Sequence, residues 1–329
     1  MKKLYLLIIV VGLLIIAAGY PLLSVLLSPK ETVRCATLEG GISTLDILED
    51  AAIDAKYGFD AEVIRLQKTP DILAAVAKGD VDIAIIPAEM AAKLLQDGVD
   101  IVIIAVDMYQ NQAILAVKDD IKTVDDLVGK RVAAVLASGT YRMFKAYLKM
   151  AYDIEVTEDT EVNPGGVTAI NSPPGVVITA LERGDVDAIV IWEPLVSRAL
   201  VKASAHIVAD YEDMWRALGE EGSPAMLVWV ARKDFVDGNP GLVEKIVKAR
   251  RDAAIMWVED KEYTVSVLEK LYGLEPEVAE KVYERVRINT DLLTNDLVEN
   301  IKMVWGIAWA GGYLKDDPKW IPETVFYRL

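Results

Sequence analysis

Cysteine and histidine are almost missing: the 329 residues hold one of each, Cys35 and His206. No intrachain disulfide can form, and a zinc site built from four Cys or His ligands is excluded. A Ser-His-Asp or Cys-His hydrolase would have to use one of these two residues, and no nucleophile motif lies beside either. His206 sits in the apolar stretch 205–208 and reads as structural. HExxH, GxSxG, Walker and GxGxxG patterns are also absent. Positive charge is short as well: 35 Lys and Arg face 51 Asp and Glu, for a net charge of −16. That balance disfavours a nucleic-acid face, which needs a basic surface. It equally argues against polybasic docking on anionic lipid, and it favours solubility.

Apolar residues make up 53% of the chain and charged residues 26%, the balance of a globular protein. The length exceeds one small core and suggests two lobes behind a leader. Lys2 and Lys3 precede an almost wholly apolar run over residues 4–27, which as a helix would span roughly 36 Å, enough for a bilayer core. This N-terminal hydrophobic helix reads either as a cleaved signal peptide ending near Ala17 and Gly19 or as an uncleaved anchor, with length slightly favouring the anchor. Residues 28–31 form a short stalk, so that 1–30 stand apart from the folded part. Arg34 before Cys35 does not suit a lipid-attachment site. Either reading places the rest of the chain outside the cytoplasm.

From residue 33 the pattern alternates strand and helix. Strands are expected at 33–38, 61–66, 81–86 and 101–106, with helices at 44–57, 70–77 and 90–96 between them. A second series follows: strands at 131–135 and 188–191, and helices at 141–151, 176–183 and 193–201. The tail from Asn239 is mainly helical. Such alternation implies α/β lobes with doubly wound parallel sheets and a helical C-terminal region.

An internal repeat strengthens this reading. Lys78-Gly79-Asp80-Val81-Asp82-Ile83-Ala84-Ile85-Ile86 matches Arg183-Gly184-Asp185-Val186-Asp187-Ala188-Ile189-Val190-Ile191. Each glycine is expected in a left-handed cap, each Asp pair facing water, and each apolar run in a sheet. The first copy leads into Pro87-Ala88-Glu89 and the second into Trp192-Glu193-Pro194, at carboxyl ends of strands where open α/β sheets bind ligands. A third segment, Gly129-Lys130-Arg131-Val132, leads to Ser138-Gly139-Thr140. Ser138 or Thr140 can cap the next helix, whose first N–H groups suit an anion; plain capping accounts for this segment equally well.

Together with Val230-Ala231-Arg232-Lys233-Asp234-Phe235 and Asn239-Pro240, these stretches resemble the nitrate/sulfonate/taurine group of ABC-transporter solute-binding proteins, of the type II periplasmic-binding fold. The resemblance covers about residues 33–290. It implies lobe one from 31–112 and 226–329, lobe two from 113–225, two crossover strands near 112–117 and 224–230, and ligand capture by hinge closure. It implies permease and ATPase partners and no cofactor, metal or catalytic residue. By that analogy the cleft is lined by Glu39, Gly41 and Ser43; by Ala88 and Glu89; by Tyr109 and Asn111; and by Ser138, Gly139, Thr140 and Tyr141. Trp192, Glu193 and Ser223 complete it.

The chain departs from sulfonate-type binders at Ala88-Glu89, where those carry small hydroxyl residues. Carboxylates from Glu39, Glu89 and Glu193 would repel a sulfonate but accept from an amine or aminopyrimidine. The expected ligand therefore has a polar or anionic end at Ser138–Thr140 and a donor-rich end near Glu89 or Glu193, with Trp192, Tyr109 or Tyr141 stacking on it. Two rivals remain open: an enzyme on the same fold, of pyrimidine-precursor synthase or small-acid dehydratase type, and a ligand-loaded sensor subunit.

Overall fold

A computed structural model describes residues 30–159 and 161–329; the expected N-terminal hydrophobic helix lies outside the described residues. Among the described residues no helix is long and apolar enough to cross a membrane.

The alternation read from the sequence resolves into two sheets. The first contains β1 (Glu31–Leu38), β2 (Phe59–Leu66), β3 (Ile83–Pro87) and β4 (Ile101–Tyr109). The second contains β5 (Ala113–Ala116), β6 (Arg131–Ala134), β7 (Val156–Thr157), β8 (Val167–Asn171), β9 (Ala188–Ile191) and β10 (His206–Asp210). The chain then returns to the first sheet as β11 (Ala225–Arg232). Strand orders are β2-β1-β3-β11-β4 and β10-β5-β9-β6-β8-β7. The chain thus crosses between lobes twice, through the segments before β5 and before β11.

Neither sheet is wholly parallel. β11 runs antiparallel between β3 and β4, and β5 runs antiparallel to both β9 and β10. The returning crossover strands explain this: each enters its sheet from the edge that its predecessors leave. β7, β8 and β10 escaped the sequence reading because they are short or lack clean alternation.

The repeat occupies equivalent places in the two sheets. Cys35 pairs with Ile83 in the first, and Val132 with Ala188 in the second. Gly79 and Gly184 take φ of 78° and 73°, a left-handed turn that glycine adopts without steric cost. The paired aspartates divide their work. Asp80 and Asp185 are exposed, but Asp82 and Asp187 are not free in water as expected. Asp82 N–H donates to Arg34 O at 2.9 Å, and its carboxylate accepts from Arg34 N at 3.0 Å. Asp187 N–H donates to Arg131 O at 2.8 Å, and its carboxylate accepts from Arg131 N at 2.9 Å. Each second aspartate therefore clamps one residue of the neighbouring parallel strand, Arg34 within β1 and Arg131 at the start of β6, and fixes its register. Burial pulls both carboxyls upward, but the bonds from Arg34, and from Arg131 N–H and Lys118, hold them below the usual carboxylate range.

The helix expected over 44–57 is two helices, Thr44–Asp50 and Ile53–Tyr57. Ala52 between them adopts φ 49°. The break turns Ile53 into the core and brings Asp54 Oδ2 within 2.9 Å of Ala61 N, which donates to it. The C-terminal region is helical as read: Pro240–Glu259, Lys261–Tyr272, Pro276–Arg285 and Asn295–Ala310. Two of these start with proline in the first turn, where the missing N–H costs nothing.

Candidate ligand-binding cleft

The carboxyl ends of β1, β3, β6 and β9 and the crossovers meet around one cavity. Its open space is about 560 Å³, counting the part that reaches solvent. Thr37, Leu38, Gly41 and Ile42 form one wall, with Thr69, Ile72, Ile85 and Pro87 beside it. Ser138, Gly139, Thr140, Trp192 and Glu193 face them from the second lobe. Asn111, Gln112, Met226 and Leu227 close the hinge side. Among the described residues no lysine or arginine lines it. Its body is apolar, with a few convergent polar groups, the usual character of a small-molecule site.

The helix Gly139–Tyr152 aims its N-terminus at this space. Ser138 is its N-cap, with an extended backbone and a side-chain oxygen that accepts from Tyr141 N at 3.1 Å. The same hydroxyl donates to Val135 O at 2.7 Å, so the cap is fixed on both sides. The first N–H groups of a helix lack partners within it and carry its positive dipole end. Here they belong to Gly139 and Thr140, both on the cavity.

Two buried polar atoms on the lining have no hydrogen-bond partner among the described residues: Trp192 Nε1, a donor, and Asn111 Oδ1, an acceptor. Trp192 is 8% exposed and Asn111 4%. Burying such a group unpaired costs about 1–3 kcal/mol. A ligand that accepts from the indole and donates to the amide would recover that cost.

Glu193 lines the cavity, but its carboxylate is already committed. Oε1 accepts from Arg285 Nε at 2.6 Å and Oε2 from Ser197 N at 3.0 Å. Burial raises this carboxyl; the Arg285 charge and the Ser197 N–H oppose the rise without reversing it. Arg285 ends a helix of the C-terminal region, so this ion pair ties the Trp192–Glu193 loop of the second lobe to the first. The turn at Gly41 is likewise held from outside: Tyr272 Oη lies 2.8 Å from Gly41 O and 2.6 Å from Asp46 Oδ2.

The structure brings Gly41, Asn111, Ser138, Gly139, Thr140, Trp192 and Glu193 onto the cavity. It places the other expected residues elsewhere. Glu39 is exposed beyond the rim. Ser43 is fully buried behind the wall, its hydroxyl unpartnered. Ala88 is also buried, its carbonyl accepting from Trp305 Nε1 at 2.7 Å. Glu89 is buried beside the cavity but does not line it. Tyr141 follows the helix away from the cleft and donates to Glu158 Oε1 at 2.9 Å, with the Arg142 guanidinium 5.7 Å from its ring centre. Tyr109 and Ser223 line a different cavity, of about 840 Å³, behind the hinge. There Tyr109 donates to Asn289 Oδ1 at 3.2 Å and Ser223 to Glu212 Oε1 at 2.6 Å. Stacking by Tyr109 or Tyr141 on a cleft ligand is thus ruled out by direction, and Glu193 offers no vacant carboxylate to an amine.

Sequence reasoning missed the apolar lining at Leu38, Ile72, Ile85, Met226 and Leu227, and the polar Thr37, Thr69 and Gln112. The available signal was position: Leu38 ends β1, and Thr69 follows the turn after β2. His206, outside the cleft, has Nε2 2.7 Å from Ile121 O, and Cys35 is buried, which pushes its thiol up and leaves it inert.

The family model for the NMT1-like family matches residues 44–270, well over half of the chain. The chain belongs to the NMT1-like family. This NMT1-like chain is 32% identical over 211 residues to the taurine-binding periplasmic protein of Escherichia coli, covering 62% of its own length and 61% of that relative. It therefore spans somewhat less than two thirds of that protein. A putative aliphatic sulfonates-binding protein of Escherichia coli is 26% identical over 255 residues, 75% of this chain and 73% of the relative. Among solved structures, the alkanesulfonate-binding protein from Xanthomonas axonopodis pv. citri bound to MOPS superposes with a TM-score of 0.72 at 17% identity, over 92% of this chain and all of that one. The periplasmic nitrate-binding protein from Synechocystis gives 0.68 at 16% identity, over 90% of this chain and 86% of that one. At these identities the structural likeness establishes the shared fold, a two-lobed periplasmic-binding-protein architecture.

Proposed function

We propose that this chain is the extracytoplasmic solute-binding component of an ABC importer, passing a small polar ligand to permease and ATPase subunits. The observation that carries the reading is the pair of buried, unpartnered atoms, Trp192 Nε1 and Asn111 Oδ1, set in a cavity between two sheet edges. The helix start at Gly139–Thr140 receives an anionic head group. The apolar wall takes a short carbon chain, and Asn111 accepts from a donor at the other end. A small zwitterion such as taurine has this layout, and the naming of the curated relatives for taurine and aliphatic sulfonates supports the choice. The lobes are taken as residues 31–112 with 226–329, and 113–225, hinged where the chain crosses.

A thermal-shift screen against taurine, butanesulfonate, nitrate and sulfate tests the reading. Taurine or butanesulfonate is expected to raise the melting temperature by mass action. Trp192→Phe removes the indole donor while keeping an aromatic wall, and should weaken binding about tenfold, the size of one buried hydrogen bond, with the unliganded melting point nearly unchanged. A response confined to nitrate and sulfate would overturn the zwitterion assignment. If none of the four compounds binds, the importer reading itself fails.

A further inference from the structure

Glu89 stands in the first turn of the helix Ala88–Gln96, directly after β3, and is 3% exposed. Its Oε1 has no hydrogen-bond partner, and among the described residues no ion pair joins it to a cation. The other lobe covers it together with the C-terminal region of its own. Gly139 packs so close that a methyl group added there would overlap Oε1. The charge of Glu89 reaches the hydroxyls of Tyr147 in the helix Gly139–Tyr152, of Tyr211 in the helix Tyr211–Ala217, and of Tyr313 in the C-terminal region. Tyr147 Oη is itself buried without a partner. Tyr211 donates to Thr140 O, and the Arg142 guanidinium lies 5.7 Å from the Tyr313 ring centre rather than on the carboxylate.

This is a carboxyl group that the contact between lobes buries without compensation. We propose that Glu89 links lobe closure to proton uptake: the carboxylate is charged and hydrated when the lobes part, and is protonated when they close over it. The inference rests on the hinged cleft of the proposed function and adds to it a control by pH. Burial pushes the closed-state carboxyl up to about 7, against a smaller downward pull from the backbone N–H at the start of its own helix. The surrounding tyrosine hydroxyls are shifted upward by burial and stay protonated throughout this range.

The sign follows from the two states. The closed state binds the proton more tightly than the open one, so closure is most favourable below the ordinary carboxylate range. The closed-to-open ratio falls about tenfold per pH unit as pH rises toward 7, and is level above it. An ammonium group carried in by a ligand and seated on Glu89 would reverse this slope.

Spin labels on the full chain in detergent read lobe spacing without any ligand. Lys68→Cys and Pro174→Cys place one label on each rim; both positions are exposed, whereas native Cys35 is buried and does not label. Between pH 5 and pH 8 the short-distance population should give way to a longer one. With Glu89→Gln, a neutral stand-in for the protonated acid, the short distance should persist at both values. Identical distributions at pH 5 and pH 8 in the otherwise unaltered chain, or the same pH response with Glu89→Gln, overturn the proposal. Because no ligand is present, such a failure leaves the importer reading standing, and a failed ligand screen leaves this one intact.

Discussion

Arg250→Leu should lower the stability of the protein by about 3–5 kcal/mol, read from the denaturant midpoint. Arg250 is 1% exposed and lies within the long helix Pro240–Glu259. Its Nη2 donates to Asp107 O at 3.0 Å and to Asn289 O, and its Nε lies 3.9 Å from Asp107 Oδ1. Burial lowers the guanidinium to about 10, against the opposing pull of Asp107, so it remains charged at neutral pH. Asp107 is wholly buried and also accepts from Trp229 Nε1 at 2.7 Å, from Thr44 N at 3.2 Å and from the Thr44 hydroxyl. Leucine would leave that carboxylate in the interior without its counter-charge. The same carboxylate ties the start of the helix Thr44–Asp50 to β4 and β11, so the turn at Gly41–Ile42, one wall of the cleft, should loosen with it. Adding Asp107→Asn removes the uncompensated charge and should recover part of the loss. Full additivity of the two substitutions would contradict the coupling claimed here.

Asp107 also marks a limit of reading function from sequence. It stands two residues before Tyr109, which was expected at the cleft with Asn111, and of this segment only Asn111 and its neighbour Gln112 reach the cavity. A strand end supplies residues to a ligand site and to the scaffold beneath it on alternate sides, and which side is which depends on the tertiary frame. The two-sheet plan was legible because the repeated Gly-Asp-x-Asp turn carries a local device, a left-handed glycine leading into an apolar strand; the grip of the second aspartate on the neighbouring strand was not, since each pair was expected to face water. Glycine 139, Ser138 and Thr140 were legible for the same reason, since a capped helix start is a local device. Tyr109, Tyr141 and Glu193 were not. Whether an aromatic ring points into a cleft, or a carboxylate finds an arginine 92 residues away, is decided by long-range packing that no local spacing records. The apolar lining was hidden differently. Leu38, Ile72 and Ile85 look like any core residues, and only the gap between lobes makes them a ligand surface.

Gly139→Ala should weaken ligand binding about tenfold to a hundredfold while leaving the circular dichroism spectrum unchanged. The position lies at the first residue of the helix Gly139–Tyr152 with a helical backbone that alanine accepts, so no local strain is introduced; alanine even favours the helix. The obstacle lies across the cleft. A methyl there would overlap Glu89 Oε1 and lie 2.7 Å from Pro87 Cβ and 2.8 Å from Pro87 Cγ. The Glu89 side chain can swing aside, but the proline ring stands at the end of β3 and cannot. Overpacking of this kind costs about 1–3 kcal/mol, and it is felt only when the lobes meet, which turns a packing penalty into a penalty on closure. Calorimetry with the compound selected by the ligand screen measures the loss, and the spin-label pair should show a longer distance at every pH. Glu89→Ala in the same chain removes the overlap with Oε1 but not the contact with Pro87, so it should restore binding only in part. Complete restoration would assign the obstruction to Glu89 alone, and unimpaired binding by Gly139→Ala would mean that the lobes do not close on this contact.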